Sequence, residues 1–225
     1  MLEAIQTRLE ELSGELLPVR QLAQRLLDPA ARLDPSSGTV FISQRAKLGP
    51  EAFAVVLFAG ISDAMILAYF NARTSGLRGQ LTIPPAYLRI LRVLNGAELY
   101  QLQLYGLPPG LCGDDPVIDR SIRQPLDLGA ANFVWSRQYR SSKAQFHFGG
   151  SPWSYEENLA YFLNPDDTIE ARRVGGASVG SWPAFAPFLE QEITRVESLF
   201  AAHEERTERL HNSIGLKFNP RTRRF

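Results

Sequence analysis

Three histidines, one cysteine and two acidic loops are the residues of this chain that could do chemistry. His147, His203 and His211 are the only side chains with ordinary pKa values near neutrality. His203 and His211 stand eight positions apart, two helical turns, too far for the i, i+4 pairing of a helical metal site. His147 lies between Phe146 and Phe148 on an expected strand, so it points away from both rings. It reads as a plain strand residue that is either exposed or lines a cleft. Cys112 sits in Gly-Leu-Cys-Gly-Asp-Asp. A thiol nucleophile needs a base in reach, and no spacing in the chain supplies one, so Cys112 reads as a free, inert thiol. Asp114, Asp115 and Asp119 form one acidic loop, and Glu156, Glu157, Asp166, Asp167 and Glu170 a second acidic region. Paired carboxylates do acid–base work when their surroundings push their pKa values apart. In loops and hairpins they are more often solvated turn residues, or charges that meet a basic partner. A small enzyme using Cys112 or these loops is therefore the weakest of three functional readings.

No cofactor is implied. The run Val174-Gly175-Gly176-Ala177-Ser178-Val179-Gly180 has alanine where a dinucleotide fingerprint needs its second spaced glycine, and it lacks the Lys-Ser/Thr of a P-loop. It reads as a flexible connection. Trp135, Tyr139, Trp153 and Tyr155, with Arg137 and Arg140 nearby, flank the segment 145–150. Aromatics and arginine are common interface anchors, and in a small domain they are also common core. The candidate partner surface is Trp135, Arg137, Tyr139, Trp153, Tyr155 and Glu156, with Asp114 and Asp115 as its acidic complement. The same aromatics could stack single-stranded bases, but Lys+Arg and Asp+Glu balance at 24 each, without the basic excess of a nucleic-acid binder.

The elements that must hold these residues are legible in part. Leu2, Ile5, Leu9, Leu12, Leu16, Val19, Ala23 and Leu26 step by three and four, an amphipathic helix that also satisfies a heptad pattern. Gly14 and Pro18 argue that it kinks or splits. It either packs on its own chain or mediates self-association. Thr39–Ile42 reads as a short strand. Ala52–Phe70 is the most apolar stretch. Asp63 near its middle and the Gly60–Ser62 stop and cap make it two buried helices, about 51–59 and 63–74, rather than a membrane span. Pro85 opens a helix carrying Leu88, Leu91 and Leu94, and Asn95-Gly96 supplies its left-handed stop. Tyr100, Leu102 and Leu104 then alternate as one strand. Further strands are expected at 133–135, 145–148, 159–163 and 168–172, the last two joined by an Asn164-Pro165-Asp166-Asp167 turn. Trp182 and Pro183 lead into a closing amphipathic helix, regular from about Pro187.

The bulk numbers suit this picture. At 225 residues, 44% hydrophobic and 21% charged, the chain can bury a sizeable core. One cysteine excludes an internal disulfide framework and fits a reducing compartment. The N-terminus has no charged-then-apolar leader pattern, so a cytoplasmic protein is expected.

The order helix, Pro-led helix, Asn-Gly, strand, strand meander and closing helix resembles the SUKH superfamily, which includes Smi/Knr-type cell-wall regulators and many bacterial toxin-immunity proteins. The residues that carry the resemblance are Ile83, Pro84, Tyr87, Leu91, Asn95, Gly96, Leu104, Tyr105 and Gly106. Phe148-Gly149-Gly150, the Tyr161–Asp167 hairpin and the start of the helix at Trp182–Leu189 also fit. The resemblance implies an α+β fold, a mostly antiparallel sheet flanked by helices, over about 62–200. Residues 1–60 are then an extra helical segment packing on a main domain of 61–210, and 211–225 a basic tail with Lys217, Arg221, Arg223 and Arg224. It further implies a non-catalytic protein-binding module, with toxin neutralisation as its sharpest form. A cytoplasmic scaffold or regulator, using the N-terminal helix for self-association, is the alternative. Many immunity proteins are acidic, and the zero net charge here departs from that habit.

Overall fold

The computed structural model describes residues 1–45, 52–72, 80–112, 123–154 and 157–213, with side chains described as far as 206. The protein is α+β. Nine strands form one antiparallel sheet in sequential order, β1 (Arg32–Leu33), β2 (Val40–Gln44), β3 (Phe53–Ala59), β4 (Leu94–Leu99), β5 (Leu102–Leu104), β6 (Phe146–Pro152), β7 (Asn158–Leu163), β8 (Ile169–Arg173) and β9 (Ser178–Trp182). Six helices accompany it, α1 (Leu2–Glu10), α2 (Leu17–Leu26), α3 (Asp63–Asn71), α4 (Pro85–Val93), α5 (Leu128–Phe133) and α6 (Phe185–Ser213).

The N-terminal periodicity splits as its glycine and proline require. Gly14 adopts φ +56°, a conformation open to glycine at little cost. Pro18 sits in the first turn of α2, where its missing N–H needs no partner. The apolar face closes on its own chain: Ile5, Leu9, Leu12, Leu16, Val19 and Leu22 are all buried in the main core. Arg8 of α1 donates to the Val93 carbonyl at 2.8 Å, satisfying the C-terminal end of α4. The heptad face that self-association would need is thus covered from within.

Residues 1–60 are not helical throughout, and the helix expected at 51–59 is a strand. β3 is buried on both faces and pairs with β2 and β4, with Val40 opposite Leu57 and Val55 opposite Leu99. A short, wholly apolar run has no period to reveal its type, and the valines at 55 and 56 favour a strand. The sheet therefore runs unbroken across residue 60. The cap at Ser62 is real: its hydroxyl accepts from the Met65 amide at 3.3 Å and opens α3.

Asn95-Gly96 is not the stop of α4. The helix ends at Val93, and Leu94 already belongs to β4. The pair instead clamps a crossing of two chain segments. Asn95 Nδ2 donates to the Leu107 carbonyl at 2.9 Å, and the Leu107 amide donates to Asn95 Oδ1 at 2.8 Å. Gly106 must be bare, since a Cβ there would lie 2.3 Å from the Asn95 carbonyl oxygen. The single strand expected over 100–104 is also corrected. Tyr100, at φ +55°, and Gln101 form a tight turn between β4 and β5. Residues 133–135 are helical, the end of α5 and the start of a 3₁₀ segment, Trp135–Tyr139. The glycine-rich stretch at 174–180 is a hairpin turn and strand β9. The Asn164–Asp167 turn joins β7 to β8 as the sequence indicates. Pro187 lies in the first turn of α6, which starts two residues earlier than expected.

One sheet face carries Phe146, Phe148, Tyr161 and Leu163 and packs under α4 and α6 through Tyr87, Phe185 and Phe188. The opposite face carries His147 and Phe162, covered locally by Tyr105 and Tyr139. Among the described residues, no helix is long and apolar enough to cross a membrane.

Candidate functional site

The seam between β5 and β6 is the shortest pairing in the interior of the sheet. Only Gln103 with Gly150 and Leu104 with Gly149 pair across it. A cleft of about 590 Å³ opens there. Its walls include Tyr105, Trp135, Tyr139 and His147, and its rim carries Gln101, Gln103, Gln138 and Asn158. At its α6 end stand Leu199 and His203. Among the described residues lining it, none is Asp, Glu, Lys or Arg.

The wall is held by α5 and the 3₁₀ segment that follows. Asp127 caps α5 by accepting from the Gly129 amide at 2.9 Å, and it also accepts from the Tyr69 hydroxyl at 2.5 Å. Asn132 then staples α5 to β6. Its Nδ2 donates to the His147 carbonyl, and its Oδ1 accepts from the His147 amide, both at 2.9 Å. The next residues carry Trp135 and Tyr139 over the sheet, with Trp135 edge-on to Tyr105 at 5.6 Å. The floor is glycine. A Cβ on Gly150 would lie 2.5 Å from the Tyr105 hydroxyl, and one on Gly149 2.7 Å from the Gln103 carbonyl.

His147 points away from its two phenylalanine neighbours, as alternation requires, but it is buried at 1% exposure. Its ring lies against Phe162 at 4.7 Å. Nδ1 is 3.1 Å from the Ala131 carbonyl and Nε2 is 3.1 Å from the Gly149 carbonyl. A neutral ring carries one N–H, so only one of these contacts is a hydrogen bond. Burial pushes its pKa down to about 4, and the two carbonyls oppose that shift without overcoming it.

Beside the cleft, on the helical face, Ser151, Tyr161, Glu192 and Arg195 form a connected polar cluster. Arg195 Nε donates to Glu192 at 2.9 Å and its Nη1 to the Pro152 carbonyl at 2.9 Å. The Tyr161 hydroxyl hydrogen-bonds Glu192. Glu192 is 4% exposed, so the cluster is a buried ion pair with its remaining valences filled.

Of the surface expected from sequence, Trp135 and Tyr139 line the cleft together. Arg137 is exposed on the same segment and does not line it. Trp153 is partly exposed, its ring 5.9 Å from the Arg195 guanidinium, while its neighbours Pro152 and Ser154 reach the cleft edge. Tyr155, Glu156, Asp114, Asp115, Asp119 and the basic tail lie outside the described residues. Of the motif residues, Pro84 is the N-cap of α4. The buried Tyr87 hydroxyl donates to the Tyr105 carbonyl at 2.5 Å. Gly96 lies inside β4 at φ +94°.

The chemistry the sequence could have supported takes other forms here. Cys112 is half-buried, 3.5 Å from the Pro108 carbonyl. Burial first, and the Asp127 charge second, push its thiol up to about 11, the opposite of an activated nucleophile. Glu157 pairs with Arg173 at 2.7 Å, which holds its carboxyl below the usual range. Asp166 accepts from the Thr168 hydroxyl at 2.7 Å as a turn residue, again with a lowered pKa. No group of three His, Cys, Asp or Glu able to hold a metal occurs among the described residues.

Comparison with models of known families, with curated proteins and with solved structures returns no match. The site therefore has to be read from its own geometry. Sequence reasoning missed Gln103, Gln138, Gly150 and Ser151 as members of the cleft. The Phe-His-Phe-Gly-Gly run did signal a strand whose far side changes character, but only the α5 staple makes that side a wall.

Proposed function

We propose that this chain is a non-catalytic protein-binding module that grips its partner in the cleft at the β5–β6 seam, in the manner of a toxin-neutralising immunity protein. The observation that carries this reading is the lining: four large aromatic side chains, Tyr100, Tyr105, Trp135 and Tyr139, a ring of carboxamides and no Asp, Glu, Lys or Arg among the described residues. Aromatic anchors in a desolvated pocket, surrounded by adaptable polar groups, are what a protein interface concentrates its affinity in. General acid–base or nucleophilic work needs a titrating pair in reach. Here burial holds the His147 imidazole in the cleft wall neutral, with its pKa pushed down to about 4. The Cys112 thiol is pushed up, and Glu157 and Asp166 are held ionised by partners away from the cleft. The resemblance to the SUKH superfamily points the same way. A scaffold role of the Smi/Knr type could use the same cleft. The N-terminal helix no longer argues for it, because its apolar face is buried in its own core.

The test is co-expression with toxin domains encoded beside the gene. Neutralisation predicts restored growth and a complex that survives gel filtration. Gln103→Lys with Gln138→Lys, both at solvent-accessible positions, would abolish both while leaving the unfolding midpoint unchanged. Rescue that is indifferent to these charges, or no rescue by any adjacent toxin domain, would overturn the proposal.

A further inference from the structure

The tyrosines of the described residues divide into two groups. Tyr69, Tyr87, Tyr100 and Tyr161 each place the hydroxyl on a protein partner: Asp127, the Tyr105 carbonyl, Glu197 and the Ser151–Glu192 pair. Tyr105 and Tyr139, 7% and 8% exposed, make no hydroxyl hydrogen bond to the described residues. Both line the cleft. Neither hydroxyl oxygen is sealed from solvent, so each presents its O–H to the cleft, where an entering group can take the place of water. The two flank the same imidazole, with ring centroids 5.3 and 5.7 Å from His147. Burial raises the pKa of both phenols, and Tyr139 adds to the rise at Tyr105. The fold keeps the space beneath Tyr105 open, since Gly150 is the residue that any side chain would turn into a collision with that hydroxyl.

Two neutral phenols at one wall offer donors to an acceptor atom. With no lysine or arginine among the described lining residues, a carboxylate entering here would lose its water shell without a counter-charge. A cation would find no carboxylate. A neutral carbonyl loses little and gains both donors, and the Gln103 and Gln138 side-chain carbonyls, whose amides make no hydrogen bond to the described residues, can accept from the N–H of a carboxamide. Trp135 supplies an apolar flank.

Resting on the reading of this cleft as the binding site, we propose that its occupant is an uncharged carboxamide or peptide group of the partner, with its carbonyl oxygen received by the Tyr105 and Tyr139 hydroxyls.

The experiment labels the full chain with 3-fluorotyrosine and titrates it with benzamide, benzoate and benzylammonium, three probes alike in shape and different in charge. The fluorine signals of Tyr105 and Tyr139, assigned through Tyr105→Phe and Tyr139→Phe, should move saturably with benzamide. Benzoate and benzylammonium should bind at least about tenfold more weakly, and Tyr105→Phe should weaken benzamide about tenfold, the value of one hydrogen bond. Each phenylalanine variant keeps the ring packing, so unchanged signals from the other tyrosines certify the fold. Benzoate binding as tightly as benzamide, the absence of a saturable benzamide shift, or an unaffected Tyr105→Phe variant would overturn the proposal. A chain that neutralises a toxin but fails this test keeps its interface and loses this occupant. Benzamide selectivity without toxin rescue retains the occupant and removes the immunity reading.

Discussion

Acidification should weaken this fold through His147 well before the carboxylates titrate. Two forces compete at that ring. Its two carbonyl contacts at 3.1 Å favour the imidazolium, which could donate to both. Burial at 1% exposure disfavours any charge there. Charge-assisted hydrogen bonds are worth about 1.5–3 kcal/mol each, whereas an ion in the interior loses several kcal/mol of hydration. Desolvation wins, and the folded-state pKa falls from 6.5 to about 4. The sign follows from that depression. Between these two values the unfolded chain binds a proton that the folded chain refuses, so stability is full above the unfolded pKa and declines as the pH falls toward the folded one. Integrating one site with these pKa values gives a loss of about 2 kcal/mol between pH 7 and pH 5, and about 3 kcal/mol by pH 4. Urea unfolding across this range, with wild type and His147→Phe compared at each pH, isolates the term from carboxylates common to both. The variant is less stable at pH 7, where it leaves a carbonyl without its N–H partner. Its deficit should shrink by about 2 kcal/mol at pH 5. A deficit that stays constant, or grows on acidification, would refute the argument and mean that the two carbonyls hold a buried imidazolium.

Three other perturbations test the scaffold. Asn95→Ala strips both hydrogen bonds from the buried backbone of Leu107 and should cost about 3 kcal/mol in urea unfolding. Gly106→Ala drives a methyl to 2.3 Å of the Asn95 carbonyl, a backbone atom with nowhere to go. It should cost about 3 kcal/mol or more, or prevent soluble expression. Arg195→Met leaves Glu192 buried without its counter-ion and should lose about 3–5 kcal/mol. Adding Glu192→Gln should recover part of that loss in a thermal melt, because the uncompensated charge is then gone.

The sequence alone determined the fold class and much of its punctuation. A 3.6-residue apolar period in 2–26, broken where Gly14 and Pro18 stand, yields α1 and α2 because the chain's local rules suffice there. The Asn164–Asp167 turn likewise announces its own hairpin. Tertiary structure decided whatever depends on burial from both sides or on close approach. Residues 53–59 carry no period because both faces are covered, so their strand character appears only once β2 and β4 flank them. Residues 133–135 read as strand-formers by type, yet Asp127 and Asn132 commit them to helix by capping and stapling α5. Trp135 and Tyr139 were legible as a pair worth watching. That they share a wall with Tyr105 over the bare backbone of Gly150 was not, because residues 30 apart in the chain meet only when the β5–β6 seam is formed. Hydrogen-bond satisfaction is a property of neighbours in space, and that is why two hydroxyls unpartnered among the described residues could not be seen before the fold.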